Sequence, residues 1–382
     1  MIYLDSAATT LQKPSAVRRA VSRALVEQTS PGRGGHSASM RAAETAYACR
    51  EAVARLLKVS APEQVVFTYN ATYALNMAIK SLVGPGDRVV VSSFEHNSVI
   101  RPLQAIGAEI VVAHSALFRP ETAVLAFEAA IQAGTKLVVL NHVSNVFGYI
   151  LPAAEIAALC RAQGVPLMID ASQSAGVLEI DAAALDADFI AMPGHKGLYG
   201  PQGTGVLICK DTPQRTIIEG GTGSDALHRE MPDTLPDRLE AGTPNMPGIR
   251  GLLEGVRFVK RRTTAEILCH ERNLLRRLIE GLGVIPGVRL YAAAAADLRH
   301  QTGVLSLNLE GIDCETVAGA LSAREIAVRA GLHCAPLAHE AAGTLDTGTV
   351  RVSVSAFNTR KEIDRFLCIF EQTAKKLRKS EI

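Results

Sequence analysis

The sequence predicts an α/β protein in which a large domain with a mainly parallel, doubly wound sheet is joined to a smaller α+β domain. Two observations support this prediction. Between about residues 60 and 210, short β-rich runs alternate with helical patterns, as in a sheet whose strands are connected by helices. Several of these runs are almost wholly apolar, which is typical of strands covered on both faces.

The elements of the large domain follow in chain order. A helix is predicted near residues 14–29, and seven strands are predicted at 65–68, 88–93, 109–113, 136–141, 166–170, 188–192 and 204–209. Helical patterns between them lie at 72–82, 121–133 and 153–163. Residues 211–247 are rich in Gly, Pro, Thr and Asp, a composition that predicts irregular structure.

The last third of the chain has a different pattern. A long helical stretch from about 248 to 280 is predicted to connect the two domains. Beyond it, strands are predicted near 303–309, 326–329 and 349–355, and helices near 313–324 and 360–378. We therefore place the large domain at 14–250 and the small domain at 251–382, together with residues 1–13.

Composition excludes several classes of function. Forty basic and 38 acidic residues give a net charge of +2, so no bulk field favours nucleic acid or a membrane surface. The N-terminus lacks the pattern of a signal peptide, and no apolar run approaches the length that spans a membrane. The seven cysteines are odd in number and show no zinc spacing, so no metal site is expected and a reducing, cytoplasmic location is predicted.

Polar side chains stand at the ends of the predicted strands. Asp170 ends one strand, Lys196 follows the next, Asn145 follows a third and His96 follows a fourth. Ligands of open α/β sheets bind at the carboxyl ends of the strands, so these four side chains are expected to converge. Taken singly, each is more often structural, such as a helix cap or a surface turn. Four such residues in order at successive strand ends favour a functional site instead.

This set of side chains suits pyridoxal phosphate (PLP). The cofactor needs a lysine amine, here Lys196, and a carboxylate that keeps its pyridine nitrogen protonated, here Asp170. Its phosphate suits a helix N-terminus, which Ala71 and Thr72 supply directly after a strand. His96 is the candidate for a planar group over the cofactor ring.

Nearly the whole chain resembles the cysteine desulfurases and selenocysteine lyases of the class V aminotransferase family, which have PLP fold type I. The matching stretches are 3–10, 67–72, 95–97, 142–145, 169–173, 194–196, 240–245 and 353–359. The resemblance implies that Lys196 binds the cofactor and then shuttles protons, and that Asp170 pairs with the pyridinium. It implies further that Gln173 contacts the ring oxygen and that His96 stacks on the ring as part of the catalytic set.

The resemblance also implies the phosphate and substrate contacts. Phosphate-binding residues would be Ala71, Thr72 and His195, with Thr243 reaching the phosphate site of a neighbouring subunit in a homodimer. Substrate-binding residues would be Asn145 and Arg351 at the carboxylate, with Arg329 and His36 nearby.

Pro193 departs from the pattern of close relatives, which often place a Ser or Thr two residues before the His-Lys pair. Proline has neither a hydroxyl nor an N–H to donate. The missing phosphate donor is expected at Thr72 or in the Gly-rich turn at 220–223.

Cys334 separates the possible reactions of this family. It lies in the segment 329–336, which resembles the loop that carries the sulfur-accepting cysteine, with His333 and Arg329 near enough to favour a thiolate. The other six cysteines are predicted to be buried. We therefore predict a cysteine desulfurase that converts L-cysteine to L-alanine, leaves a persulfide on Cys334 and passes the sulfur to a protein acceptor. Alternatives are a selenocysteine lyase, a class V transamination or β-elimination that does not use Cys334, and a PLP-binding scaffold without activity.

Overall fold

The structure is a computed structural model that describes residues 1–32 and 34–379. Its strands, numbered along the chain, are β1 (Ile2–Tyr3), β2 (Val65–Thr68), β3 (Arg88–Ser92), β4 (Glu109–Ala113), β5 (Thr135–Asn141), β6 (Leu167–Asp170), β7 (Phe189–Pro193), β8 (Gly205–Cys209), β9 (Val288–Tyr291), β10 (Val304–Leu309), β11 (Ile326–Ala327), β12 (Arg329–Gly331) and β13 (Thr349–Ser353). Its helices are α1 (Ser15–Glu27), α2 (Ser37–Leu57), α3 (Ala71–Leu82), α4 (Asn97–Ile106), α5 (Pro120–Ala130), α6 (Ala153–Gln163), α7 (Ala182–Leu185), α8 (Met246–Arg262), α9 (Thr264–Gly283), α10 (Cys314–Ser322), α11 (Pro336–Ala342) and α12 (Arg360–Lys379). A short 3₁₀ turn, Pro62–Gln64, precedes β2.

The main sheet has seven strands in the order β2-β8-β7-β6-β5-β3-β4. The five strands β7, β6, β5, β3 and β4 are parallel to one another, whereas β8 is antiparallel to both β7 and β2. All seven predicted strands are present, each within one residue of its predicted ends. The predicted α/β class with a mainly parallel sheet is therefore confirmed.

Both faces of this sheet are covered by apolar side chains. In β3, Val90 packs into one hydrophobic cluster, and Val89 and Val91 pack into a second cluster on the opposite face. This alternation follows from the two-residue period of a strand. Helices α2 and α6 contribute to the first cluster and α3 to the second, which explains why the strands read as continuous apolar runs.

Helix α2 was not predicted from the sequence. Its residues are good helix formers, but its N-cap is His36, which lies outside the Ser, Thr, Asp and Asn set that marks helix starts. Residues 211–245, in contrast, contain neither helix nor strand, as their composition predicted.

The single helical stretch predicted for 248–280 is wrong, because the structure has two helices with a break between them. Thr263 has a φ of 65°, and its side chain accepts a hydrogen bond from the N–H of Glu266 at the start of α9. The break lets α8 pack on the core of the large sheet, through Leu252 among others. Helix α9 packs instead on a separate core through Leu275.

That separate core belongs to a four-stranded antiparallel sheet with the order β12-β13-β10-β9. Helices α9, α10 and α12 pack on it, together with Ile2 and Leu4 from the N-terminus, where β1 pairs with β11. Strand β9 was not predicted, and the single strand predicted near 326–329 is in fact two short strands, β11 and β12, in different sheets. The division into domains at 14–250 and 251–382 remains a prediction, and the C-terminal limit lies outside the described residues. In the part of the chain that the structure describes, no helix combines the length and apolar character needed to cross a bilayer.

Candidate active site

A cavity lies at the carboxyl ends of β5, β6 and β7, next to the first turns of α3 and α4. Eight of the residues predicted for cofactor or substrate line it, namely Ala71, Thr72, His96, Asn145, Asp170, Gln173, His195 and Lys196. The predicted convergence of polar side chains at the strand ends is therefore seen in the fold. Pro193 lines the same cavity, as do Ser98 and Ser172, which the sequence reasoning missed.

Asp170 and Lys196 occupy neighbouring positions at this edge of the sheet. Asp170 is the last residue of β6, is only 3% exposed, and accepts a 2.9 Å hydrogen bond from the N–H of Ser172. Burial lowers the pKa of Lys196 to about 8, against the opposing effect of the Asp170 charge. The cavity therefore combines a buried carboxylate with an amine that loses its proton readily.

Two glycines bring the loop of Lys196 against the loop of Gln173. Gly176 has a φ of 84°, and a Cβ atom at this position would collide with the carbonyl group of Gly197. Gly197 is equally crowded, because a Cβ atom there would meet the carbonyl oxygen of Ala175. Only residues without a side chain permit this close approach.

The first turns of α3 and α4 form the opposite wall. Asn70 caps α3 by accepting a 2.9 Å hydrogen bond from the N–H of Tyr73. The first N–H groups of a helix have no partner within it, and here they belong to Ala71 and Thr72. This turn is a suitable anion site because these donors and the helix dipole both favour negative charge.

A chain of short polar contacts joins the two helix starts. The Thr72 hydroxyl lies 2.7 Å from the Ser98 hydroxyl, which lies 2.8 Å from His96 Nδ1. Burial lowers the pKa of His96 to about 4, so its ring is a neutral plane at pH 7. Thr72 and Ser98 thus offer hydroxyls in place of the one that Pro193 lacks. The Gly-rich turn does not line this cavity, because Thr222 and Gly223 line a separate groove.

Residues 5–13, which we term the N-terminal strap, contact several of the cavity residues. The carbonyl of Ala7 accepts a 2.9 Å hydrogen bond from Gln173 Nε2, and the Thr9 hydroxyl lies 3.0 Å from His195 Nδ1. Burial and the neighbouring Lys196 lower the pKa of His195 to about 4. The sequence motif 3–10 was recognised, but its contacts with the cavity were not predicted.

Arg351 lies beside the cavity and is 1% exposed. Its Nη2 donates to Asp5 Oδ1 at 2.8 Å, and its Nη1 donates to the carbonyl of Asn145 at 2.9 Å. Arg351 Nε and Asn145 Oδ1 are both buried without a hydrogen-bond partner among the described residues. Asn145 Nδ2 donates one of its two hydrogens to the carbonyl of His333, so Asn145 can still offer a ligand its second N–H as well as the Oδ1 acceptor.

Cys334 is exposed on a turn that is attached to the cavity wall. Its carbonyl accepts a 2.8 Å hydrogen bond from the N–H of Asn97, the residue after His96. His333 and Cys334 have φ values of 50° and 58°, a left-handed conformation that is uncommon for residues with side chains. This turn holds Cys334 at the start of α4, beside the cavity.

His333 does not supply the positive charge that the sequence argument assigned to it. Burial lowers its pKa to about 2, and its Nε2 lies 3.2 Å from the carbonyl of Thr349. The imidazole is therefore neutral, and the positive charge near the turn comes from Arg351 and Arg329. The prediction that the other six cysteines are buried is also wrong for two of them, because Cys269 and Cys368 are exposed on helices.

Thr243 and His36 do not reach the cavity of their own chain. Thr243 lines a separate groove with Tyr69, and His36 is exposed at the start of α2, where it accepts a hydrogen bond from the N–H of Ser39. In the described residues, no group of three or more His, Cys, Asp or Glu side chains could hold a metal ion.

Comparison with known proteins gives a consistent result. Residues 2–366 match the family described as Aminotransferase class-V. The chain is 32% identical to a probable cysteine desulfurase of Pyrococcus abyssi, over all of this chain and 96% of the relative. The structure superposes with a TM-score of 0.88 on the apo structure of a cysteine desulfurase from Thermococcus onnurineus, at 31% identity, covering 98% of this chain and 95% of the other. It also superposes with a TM-score of 0.86 on the S-sulfonic acid form of a cysteine desulfurase from Escherichia coli, at 27% identity, covering 98% and 94%.

Proposed function

The chain belongs to the class V aminotransferase family, and from that premise we propose that it is a PLP-dependent cysteine desulfurase that uses Cys334 as its sulfur acceptor. The observation that supports this role most directly is the placement of Cys334. It is exposed, yet its backbone is hydrogen-bonded to the start of α4, beside a cavity lined by Lys196 and Asp170. A transaminase or a β-eliminating enzyme would need no thiol at this position.

The residues around the cavity fit PLP. Lys196 would hold the cofactor covalently, Asp170 would face its pyridine nitrogen, and His96 would stack on its ring. The first turn of α3, the Thr72 hydroxyl and His195 would bind its phosphate. When bound, PLP draws electrons from the substrate's α-carbon and makes the α-proton removable.

Arg351 and Lys196 would act on the amino-acid substrate itself. Within the part of the chain that the structure describes, Arg351 Nε has no hydrogen-bond partner, and a planar arginine fork matches a carboxylate. Arg329 would add a second positive charge. Lys196 Nζ would then take the α-proton, a role for which a pKa of about 8 suits it at neutral pH.

Cys334 would complete the reaction as a nucleophile. Its thiolate attacks the sulfur of the substrate and forms an S–S bond while the substrate C–S bond breaks. The bonding pair stays with the substrate carbon, which takes up a proton and leaves as alanine. The persulfide on Cys334 then passes to a protein acceptor by thiol exchange. L-cysteine as substrate, a protein acceptor and a cytoplasmic location are parts of this proposal.

Replacement of Cys334 tests the function. We expect Cys334→Ala to bind PLP normally and to lose nearly all alanine formation from cysteine, measured with reductant present. A selenol leaves more readily than a thiol, so the same variant should keep a substantial share of its activity on selenocysteine. Cys368→Ala is the matched control, because it removes another exposed thiol from a helix outside the site.

The size of the activity loss in Cys334→Ala distinguishes between the possible roles of Cys334. A loss of only about tenfold on cysteine, or about 1.4 kcal/mol of barrier, would show that Cys334 merely assists. Equal collapse on both amino acids would point to a structural role of the turn. Unaffected alanine formation would refute the proposal.

We also propose a homodimer in which Thr243 completes the phosphate site of the partner. The groove that contains Thr243 includes Tyr47 and Tyr69, which are each 51% exposed in the single chain. Twofold pairing is the commonest oligomeric arrangement. Mixing inactive Lys196→Ala with Thr243→Ala subunits should restore activity, because one site of the mixed dimer then has both wild-type residues. An active monomer in sedimentation would refute this arrangement.

A further inference from the structure

Two arginines occupy paired positions on adjacent strands beside the cavity. They lie where the substrate carboxylate would bind, a region that we term the substrate end. Arg329 of β12 and Arg351 of β13 are directly paired in the antiparallel register. Like charges at directly opposite positions destabilise a sheet. Burial lowers the pKa of Arg351, and the Arg329 charge adds to this effect. Arg329 is exposed to water, so the buried Arg351 is the member of the pair that needs an anion nearby.

One such anion is Asp5, in the N-terminal strap. The backbone beside it is fixed to β13: the N–H of Ser353 donates to Leu4 at 2.7 Å, and Asp5 itself forms a parallel bridge with Ser353. The Asp5 side chain pairs with Arg351 at 2.8 Å, and the two side chains are 20% and 2% exposed. Because the backbone holds Asp5 independently of the ion pair, a neutral residue should be accommodated here.

Among the described residues, the charges around the substrate end then leave one cation without a counter-ion. In the holoenzyme the Asp170 charge would be neutralised by the pyridinium of the cofactor, and Arg351 is paired with Asp5. Two arginines and one aspartate leave a single positive charge, and the buried Arg351 Nε still lacks a hydrogen-bond partner among the described residues. This arrangement has room for one additional negative charge.

We propose that Asp5 determines charge specificity: it is the counter-ion of Arg351 that admits amino acids with one carboxylate and disfavours those with an acidic side chain. This inference rests on the proposed amino-acid site. The α-carboxylate of cysteine supplies the one negative charge for which the cluster has room, and its neutral thiol adds none. A second carboxylate, as in aspartate, would be repelled by the Asp5 charge, which is only partly screened because the Asp5 side chain is 20% exposed.

Binding of L-aspartate and L-alanine to the holoenzyme tests this role, because the two differ by a carboxylate that replaces a hydrogen. Both dissociation constants are measured by titrating the visible spectrum of the bound cofactor, which requires no turnover. In Asp5→Asn we expect the preference for alanine over aspartate to fall by about tenfold, or about 1.4 kcal/mol. Asp5→Glu, which keeps the charge, should restore the wild-type preference.

The control and the reverse variant exclude a merely structural effect. Asp364→Asn breaks another Asp–Arg pair, with Arg277 on α9, and should leave the preference unchanged. Arg329→Gln lowers the charge of the cluster by one and should increase the preference for alanine, which tests the idea even if Asp5→Asn fails to fold. If Asp5→Asn changes both dissociation constants equally, or Arg329→Gln leaves their ratio unaltered, Asp5 does not select charge. Alanine formation from cysteine by the wild type tests the proposed function separately.

Discussion

The pKa of Lys196 allows a quantitative test of the candidate active site. A pKa of about 8 leaves about a tenth of the amine neutral at pH 7, whereas the ordinary value of 10.5 would leave about 0.03%. The neutral amine, which is the form that attacks an aldehyde, is therefore enriched by about 300-fold. In the apoprotein, the reaction of Lys196 with a small aldehyde should reach half its maximal rate near pH 8.

Trapping with cyanoborohydride and peptide mass spectrometry would measure this rate at each pH. Lys58 is the internal control, because its ion pairs with Glu179 and Asp181 raise its pKa instead. Asp170→Asn removes a charge that raises the pKa of Lys196, so the midpoint should move below pH 8. A midpoint for Lys196 as high as that of Lys58, or an upward shift in Asp170→Asn, would refute this account of the electrostatics.

Two further predictions concern stability. Gly176→Ala should cost at least about 2 kcal/mol in urea unfolding, because of its positive φ and its collision with Gly197. Gly164→Ala, with a φ of 63° but open space around it, should cost only about 1 kcal/mol, and equal losses would contradict this account. Burial raises the pKa of Glu95 from 4.5 to about 8, so its contribution to stability is complete below pH 4.5 and is lost as the pH rises to about 8. The free energy of unfolding of the wild type relative to Glu95→Gln should therefore fall over that range, and a constant difference would show that Glu95 is ionised in the fold.

The parallel sheet and the positions of its polar residues could be predicted because each depends on local sequence. An apolar run such as that of β5 is recognisable by itself, and the residue that ends a parallel strand must lie at the ligand-binding edge. That rule was enough to bring Asp170 and Lys196 together. It could not identify Ser98, whose value comes from its contacts with Thr72 and His96 on another helix.

The contacts of the N-terminal strap could not be predicted, since they join residues more than 160 positions apart in the chain, such as Ala7 and Gln173. The strap has no periodic pattern because most of it is neither helix nor strand. The motif 3–10 marks the strap as a family feature but does not indicate which cavity residues it contacts. The pairing of Asp5 with Arg351 appears only when β13 is placed beside it.

The motif around Cys334 predicts the position of this residue in the chain but not its backbone conformation. Two successive residues with side chains adopt positive φ, which the local sequence does not favour. Contacts from the large sheet's loops hold them there: Asn97 donates to the carbonyl of Cys334, and Asn145 donates to that of His333. Asn145 also accepts a hydrogen bond from Arg351. The turn that carries Cys334 and the Arg351 side chain are thus fixed to the same residue, so a change that moves Arg351 is expected to move Cys334 as well.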